Sequence, residues 1–190
     1  MRIFLSVFIL IFVFQSWTNA DNIKDFEIEG ISIGDSALKF FSENEIKNNI
    51  KDWYVDKTYT YSAIVSDKLK IYDKIGFFYK TNDDNYKIVS LSAYLWCKKN
   101  INDCLNTQKE VKKDFSIMFS DLSQKDEVFN YPVSADAGTN SKAIQTIFFF
   151  KNGDQVVIET KDWSNDSKYT DNFSINLDTE EFVIWLNNNS

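Results

Sequence analysis

Histidine is absent from the 190-residue chain, and arginine occurs once, at Arg2. Without histidine the chain cannot form a Ser-His-Asp triad, a Cys-His pair, a histidine-ligated zinc site or a histidine pH switch. Beyond position 2 there is no guanidinium group for bidentate binding of phosphate or carboxylate. Any catalysis would therefore depend on carboxylates, Lys, Tyr, Ser and two cysteines.

Proline and glycine are also scarce, with one Pro and five Gly, so most turns must depend on Asn and Asp. In contrast, 44% of the residues are hydrophobic and 16% are aromatic, which is typical of a globular chain. The formal charge of −7 repels phosphate backbones, so composition disfavours a nucleic-acid partner.

The first twenty residues have the pattern of a secretory signal peptide. Arg2 supplies the positive start, residues 3–14 are apolar except for Ser6, and Thr18-Asn19-Ala20 is a small-residue cleavage site. The apolar stretch is short for a membrane span, although an uncleaved N-terminal anchor is the alternative. We expect cleavage after Ala20, which leaves residues 21–190 as a single domain with 20 Lys and 28 acidic residues. The predicted location is periplasmic or extracellular.

Residues 25–33 have strand character with a phase break at Gly30, and we predict one strand with its acidic residues on a solvated face. Gly34-Asp35-Ser36 is predicted to turn into a short helix. Ser42 and Glu45 have capping-box spacing for a second helix that runs to about residue 50.

Further along the chain, turn residues separate alternating apolar segments. Asn82-Asp83-Asp84-Asn85 and Asn152-Gly153 predict two hairpins. The predicted strands are 58–65, 69–80, 86–96, 143–150, 155–161 and 173–177. A helix is predicted from 102 or 103 to about 120, and another begins with the capping pattern at 178–181. Residues 121–141 are expected to be irregular, with a short strand near 128–131.

Antiparallel hairpins alternating with helices predict an α+β fold, an antiparallel sheet of hairpins with helices packed on one face. The order also raises the hypothesis of a duplicated helix-plus-strands unit, in which residues 35–96 correspond to residues 103–177. This hypothesis depends on the order of elements alone.

Cys97 and Cys104 are the only cysteines, and in an exported protein such a pair predicts a disulfide bond. It would join a strand end to a helix start. The alternative, a redox-active pair, usually has a C-x-x-C frame and a thiol of low pKa, whereas this spacing is C-x6-C.

Two aromatic segments lie in polar surroundings, and they are the candidates for a binding surface. Trp53 and Tyr54 follow the first helix, and Trp163 precedes the polar loop 165–172. Exposed Trp and Tyr side chains are frequent contact residues for sugars, peptides and proteins. Packing in the core is the simpler alternative for each of them.

No metal or cofactor site is predicted. Asp162, Ser164 and Asp166 have the alternating spacing that begins a calcium loop, but the glycine and the closing glutamate of such a loop are missing. Carboxylates elsewhere cannot be paired at catalytic separation from sequence alone.

The segment from Phe26-Glu27-Ile28-Glu29-Gly30 through Ile33-Gly34-Asp35-Ser36 to Phe40-Phe41-Ser42 carries two resemblances. It resembles small exported proteins of AT-rich marine bacteria, a group with no assigned activity to carry over. The strand-Gly-Asp-Ser-helix opening followed by hairpins is also similar to β-lactamase-inhibitor-protein-like domains, including small outer-membrane assembly factors. Those assembly factors have a lipid-anchor cysteine that this chain lacks. The second resemblance implies a non-catalytic, protein-binding sheet.

These observations favour an exported, non-catalytic domain that binds a protein or an envelope component. The first alternative is a binder of small ligands or glycans that uses Trp53, Tyr54 and Trp163. The second is a hydrolase built on a pair of carboxylates, which requires a cleft where their pKa values are shifted.

Overall fold

The computed structural model describes residues 22–97, 100–134 and 136–189, so the predicted signal peptide at 1–20 lies outside the described residues. Within these ranges the α+β prediction is confirmed. Three α-helices pack against an antiparallel sheet of eight strands, and a second sheet has two strands. None of the helices in this part of the chain is long and apolar enough to cross a membrane.

The helices are α1 (Glu43–Asn48), α2 (Ile101–Met118) and α3 (Glu180–Asn189), and short 3-10 helices cover Ile23–Asp25 and Ala37–Lys39. The strands are β1 (Glu27–Ile28), β2 (Ile31–Ser32), β3 (Ile50–Lys51), β4 (Tyr59–Ile64), β5 (Lys74–Lys80), β6 (Ile88–Trp96), β7 (Ser123–Asn130), β8 (Lys142–Phe149), β9 (Gln155–Asp162) and β10 (Asn172–Asp178).

The large sheet has the order β3-β4-β5-β6-β10-β9-β8-β7. Helix α1 precedes the meander β3–β6, and α2 precedes the meander β7–β10. The two meanders meet where β6 pairs antiparallel with β10, with Tyr94 opposite Ser174. The same order and connectivity therefore occur in both halves, as the hypothesis of a duplicated unit predicts.

Local signals place the helix starts and the second hairpin as predicted. Ser42 accepts a hydrogen bond from the Glu45 N–H, and the Glu45 carboxylate accepts one from the Ser42 N–H, so the capping box of α1 is complete. Asn100 caps α2 through the Asn102 N–H, so α2 begins at Ile101, slightly before the predicted start at 102 or 103. Gly153 has φ +87° in the turn between β8 and β9, a conformation that glycine adopts without a steric penalty.

The prediction of one strand over residues 25–33 is wrong. The chain reverses at Glu29 and Gly30, which have φ of +57° and +79°, and forms the hairpin β1–β2. The Glu29 carboxylate accepts hydrogen bonds of 2.7–3.1 Å from the backbone N–H groups of residues 70–72. This distant contact stabilises Glu29 in the left-handed region, and it replaces the solvated position predicted for that side chain.

The prediction that residues 121–141 are irregular is also wrong over its first half. Strand β7 pairs with β8 along its whole length, from Ser123 opposite Phe149 to Asn130 opposite Lys142. Because β7 is an edge strand whose side chains are mostly exposed, it lacks the alternation of apolar residues by which a half-buried strand is recognised.

The two faces of the large sheet are covered differently. Helices α1 and α2 and the N-terminal segment pack on one face, where they form the main core with the inward side chains of the sheet. Helix α3 packs on the opposite face, so the prediction that the helices share one face is right for α1 and α2 and wrong for α3. On this opposite face Phe182 and Trp185 contact Tyr59 and Phe78 of β4 and β5. Strands β6, β10 and β9 present polar side chains on this second face.

Candidate functional site

A row of polar and aromatic side chains crosses the second face of the sheet. Strand register places Lys74, Tyr94, Ser174, Glu159 and Gln145 opposite one another on β5, β6, β10, β9 and β8. Side chains two residues apart on a strand point to the same face, so neighbouring rows extend this surface. We call it the polar face, and define it as Lys74, Ser90, Tyr94, Trp96, Gln145, Glu159, Lys161, Asn172, Ser174, Asn176 and Asp178.

Glu159 is the centre of a closed hydrogen-bond network on the polar face. One carboxylate oxygen accepts from the Lys161 ammonium at 2.7 Å, from the Ser174 hydroxyl at 3.0 Å and from the Asn176 amide at 3.0 Å. The other accepts from the Gln145 amide at 2.8 Å. Burial alone would raise the pKa of Glu159, but Lys161 and these donors hold it below its ordinary value.

Lys161 lies beside Glu159 with 17% of its side-chain surface exposed, and it remains charged for the same reason. Burial alone would lower the pKa of the Lys161 ammonium, whereas the negative charge of Glu159 raises it above the ordinary range. The two side chains therefore form a buried ion pair.

Asp178 lies on the same face but has a different environment. Its Oδ1 accepts a hydrogen bond of 2.6 Å from the Ser90 hydroxyl. Burial raises the pKa of Asp178 to about 7, and the hydrogen bond from Ser90 offsets only part of this effect. Near neutral pH a substantial fraction of Asp178 is therefore uncharged.

Lys74 lies at one end of the central row. Its ammonium is 3.9 Å from the centre of the Tyr94 ring and 5.0 Å from that of Trp96, at cation–π distances. The Lys161 ammonium lies 5.4 Å from the same Tyr94 ring. Among the described residues Lys74 makes no hydrogen bond and no ion pair. Burial, with the charges of Lys161 and Lys51, lowers the pKa of Lys74 to about 8.

The predicted candidates Trp53 and Tyr54 lie beside the polar face. Trp53 stacks on Tyr61 with ring centres 4.7 Å apart, and 53% of its surface remains exposed. Tyr54 packs edge-on against Trp185 at 5.0 Å. Burial raises the pKa of Tyr54, and Lys161 is close enough to act on it as well.

The third candidate, Trp163, is part of an aromatic stack at the end of β9. Tyr131 stacks on it at 4.6 Å and Tyr169 contacts it at 4.6 Å in a tilted arrangement. The buried Trp163 Nε1 has no hydrogen-bond partner, and neither has the buried Oδ1 of Asn172. Trp163 therefore contributes an indole held between two rings, of which Tyr169 is 41% exposed.

Tyr131 connects this stack to the other two candidates. Burial raises its pKa to about 12, and the nearby groups that act on this pKa include Lys161 and Tyr54. Trp53, Tyr54 and Trp163 therefore all border the polar face, although they are far apart in sequence.

Sequence reasoning missed the polar face itself. Its signal is a polar residue at every second position inside strands that are otherwise apolar. In β6 the sequence Ser90-Leu91-Ser92-Ala93-Tyr94 has this pattern, and β10 repeats it between residues 174 and 178. The pattern shows that one side of each strand is polar, whereas strand register decides which side chains meet.

The disulfide between Cys97 and Cys104 is confirmed, with their Cα atoms 5.4 Å apart. It joins the end of β6 to the first turn of α2, as predicted from the sequence.

The carboxylates of the described ranges form no group of three or more metal-ligating side chains. Instead, Asp166 accepts hydrogen bonds from the N–H and the hydroxyl of Thr139.

A separate groove of about 550 Å³ lies between α2 and strands β7 and β8. Its Lys112 ammonium contacts both oxygens of Asp126, at 2.6 and 2.7 Å, and Thr146 donates a hydrogen bond to the same carboxylate. Lys112 and Asp126 already form an ion pair with each other, so the groove is less suited to binding an ionic group than the polar face.

The chain is thus an α+β domain with an eight-stranded antiparallel sheet, one face of which is polar and bordered by aromatic rings. No family model, no curated protein and no solved structure matches it.

Proposed function

We propose that this chain is an exported, non-catalytic binding domain, and that it recognises a protein or an envelope component through the polar face and its aromatic border. One observation carries the proposal. The first face of the sheet is filled by helices and a continuous core. The second is covered by α3 over part of its area, and its polar side chains are buried or half-buried beside aromatic rings, of which Trp53 and Tyr169 are exposed.

The carboxylates of the polar face support binding rather than hydrolysis. Glu159 accepts four hydrogen bonds and is paired with Lys161, which favours a structural role for this carboxylate over proton transfer to a substrate. Asp178 has the raised pKa of a general acid, and the charge of Glu159 contributes to it, but the hydrogen-bond partner of Asp178 is Ser90. A Glu159 that is already held by Lys161 and three further donors is less suited to the second role in a carboxylate pair.

The aromatic border supports a macromolecular partner. Trp and Tyr are enriched among the residues that dominate the binding energy of protein interfaces, and they keep few rotamers to lose on binding. Trp53 is more than half exposed although it is stacked on Tyr61. The resemblance to β-lactamase-inhibitor-protein-like domains implies the same use of a sheet. The disulfide and the signal-peptide pattern support export.

Site-specific photo-crosslinking tests this proposal. We would place p-benzoylphenylalanine at position 53 and, as a matched control, at position 117, where Ile117 of α2 is 64% exposed on the other side of the molecule. In a native envelope extract, crosslinks to one protein that saturate at position 53 and are absent at position 117 support the proposal. Equal labelling at both positions, or none at either, contradicts it.

A small polar ligand or glycan is the second candidate, and the unpartnered Nε1 of Trp163 and Oδ1 of Asn172 favour it. These are a buried donor and a buried acceptor, and a hydroxyl or amide of a ligand that reached either atom would satisfy it. Intrinsic Trp fluorescence with a panel of sugars and lipids tests it, with Trp53→Phe and Trp163→Phe to locate a response. If no ligand class changes the fluorescence, this candidate is rejected.

A further inference from the structure

We propose that the Lys74 ammonium is a receptor for a carboxylate of the partner, and that the partly exposed Trp96 holds the apolar group next to that carboxylate. This inference deepens the proposed function, because it names the chemistry that the polar face recognises. The expected ligand is therefore a segment of a protein partner with an acidic side chain or a C-terminal carboxylate beside an aromatic or aliphatic group.

The partners of the charged groups on the polar face lead to this inference. Lys161 is neutralised by Glu159 at 2.7 Å, and Asp178 is hydrogen-bonded to Ser90. Lys74 has only the rings of Tyr94 and Trp96 within the described part of the chain. Of the charged groups on this face, Lys74 is thus the ammonium that remains without an anion.

The position of Lys74 makes this lack of an anion unusual. Most lysines with an ion pair in this chain are well exposed, as Lys39 and Lys47 are, whereas Lys74 is only partly exposed. A partly buried ammonium loses hydration, and an aromatic ring replaces that hydration only in part. A bound carboxylate would restore a full charge partner, so binding of an anion at this point is favoured.

The local charge of the polar face also favours an anion. Two ammonium groups, Lys74 and Lys161, approach the Tyr94 ring, and Glu159 is the charged carboxylate beside them. The face is therefore locally positive, although the whole chain has a formal charge of −7. A carboxylate needs fewer donors than a phosphate, for which binding sites commonly supply arginine or several backbone N–H groups. With one free ammonium and two rings, Lys74 fits a carboxylate.

Benzoate is a suitable probe, because it combines a carboxylate with a ring. Lysine side-chain NMR resonances of the folded protein, with carbon-13 at Cε, would be followed at pH 6.5 while benzoate is added. The Lys74 resonance is assigned by its loss in Lys74→Gln. We expect a saturable shift of this resonance with a dissociation constant on the order of 1–10 mM, as for other small ligands of this size.

Two controls separate charge from ring stacking and from general salt effects. Benzamide has the same shape without the charge, and we expect it to produce no saturable shift. In Lys109→Gln, which removes an exposed lysine of α2, the Lys74 resonance should respond to benzoate as in the unmodified protein. Lys74→Met preserves the apolar stem, and this variant should fold normally and lose the benzoate-dependent change in total Trp fluorescence that the unmodified protein shows.

The inference is overturned if benzoate leaves the Lys74 resonance unchanged, or if benzamide shifts it equally. This outcome is distinct from failure of the proposed function, which the crosslink at position 53 tests without reference to Lys74. If the crosslink forms equally well in the Lys74→Met background, the domain binds its partner without the proposed carboxylate contact. If benzoate binds but no crosslink forms, the anion site stands and the protein partner is rejected.

Discussion

The buried pair of Glu159 and Lys161 gives the sharpest prediction about stability. Replacing Glu159 with Leu leaves the Lys161 ammonium in the interior without a negative charge. The same change removes the acceptor of Ser174, Asn176 and Gln145. Replacing Lys161 with Met removes one of the four donors to Glu159 and leaves a buried carboxylate with three.

The expected losses in free energy of unfolding depend on which charge is left without its partner. Removing one member of a buried ion pair costs about 3–5 kcal/mol in free energy of unfolding, since an uncompensated charge stays in the interior. We expect about 4 kcal/mol for Glu159→Leu and about 3 kcal/mol for Lys161→Met, because Glu159 keeps its other donors. The double variant should lose about 4 kcal/mol rather than the sum, which gives a coupling energy of about 3 kcal/mol.

Urea unfolding followed by Trp fluorescence measures these values, provided that the m-values of the four proteins agree. The ion pair of Lys47 with Glu43 on α1 is the control, since both side chains are more than half exposed and solvent screens them. Its cycle should show a much smaller coupling. If the losses at Glu159 and Lys161 add without coupling, the side chains do not interact as the structure shows and the reasoning is refuted.

Three further predictions concern other parts of the structure. The free energy of unfolding of Asp178→Asn, relative to that of the unmodified protein, should rise by about 4 kcal/mol between pH 4 and pH 8 in urea unfolding. Burial raises the Asp178 pKa from 3.8 to about 7, so the unfolded state releases this proton at lower pH than the folded state does. The unmodified protein therefore loses stability as the pH rises to about 7. Parallel pH profiles of the two proteins would contradict this. Gly76→Ala should destabilise the protein by about 1–3 kcal/mol in urea unfolding, because the new Cβ would clash with the Tyr61 hydroxyl; an unchanged stability would show that Tyr61 moves freely. Changing both Cys97 and Cys104 to Ser should cost about 2.5 kcal/mol in the same assay, with the far-UV circular dichroism retained, and no loss would argue against a constraint on the unfolded chain.

Local sequence signals predicted much of the secondary structure, because each depends on residues close together in the chain. The capping box at Ser42 and Glu45, the hairpin turn at Asn152-Gly153 and the disulfide between Cys97 and Cys104 are contacts over short separations. Where a distant contact decides the conformation, the secondary structure predicted from the sequence was wrong. Glu29 adopts a left-handed turn because its carboxylate binds the backbone at 70–72, which no local pattern encodes.

For the predicted binding residues, too, some properties follow from the local sequence and others from distant contacts. The aromatic residues Trp53 and Tyr54, and Trp163 more than a hundred positions later, could be selected because they lie in polar segments. Their common position beside one surface depends on the sheet order, since the two meanders join at β6 and β10. The partners of the charged groups also depend on this register.

By itself, the sequence determined the excluded chemistries, the α+β class, the disulfide and the alternation within strands, because composition and spacing act locally. Only the tertiary structure decided that α3 covers one part of the second face and that Lys74 has aromatic rings rather than a carboxylate as neighbours. The physical reason is that strand register joins side chains from β5 to β8 across more than seventy residues. A shift by one residue would turn each of them to the opposite face.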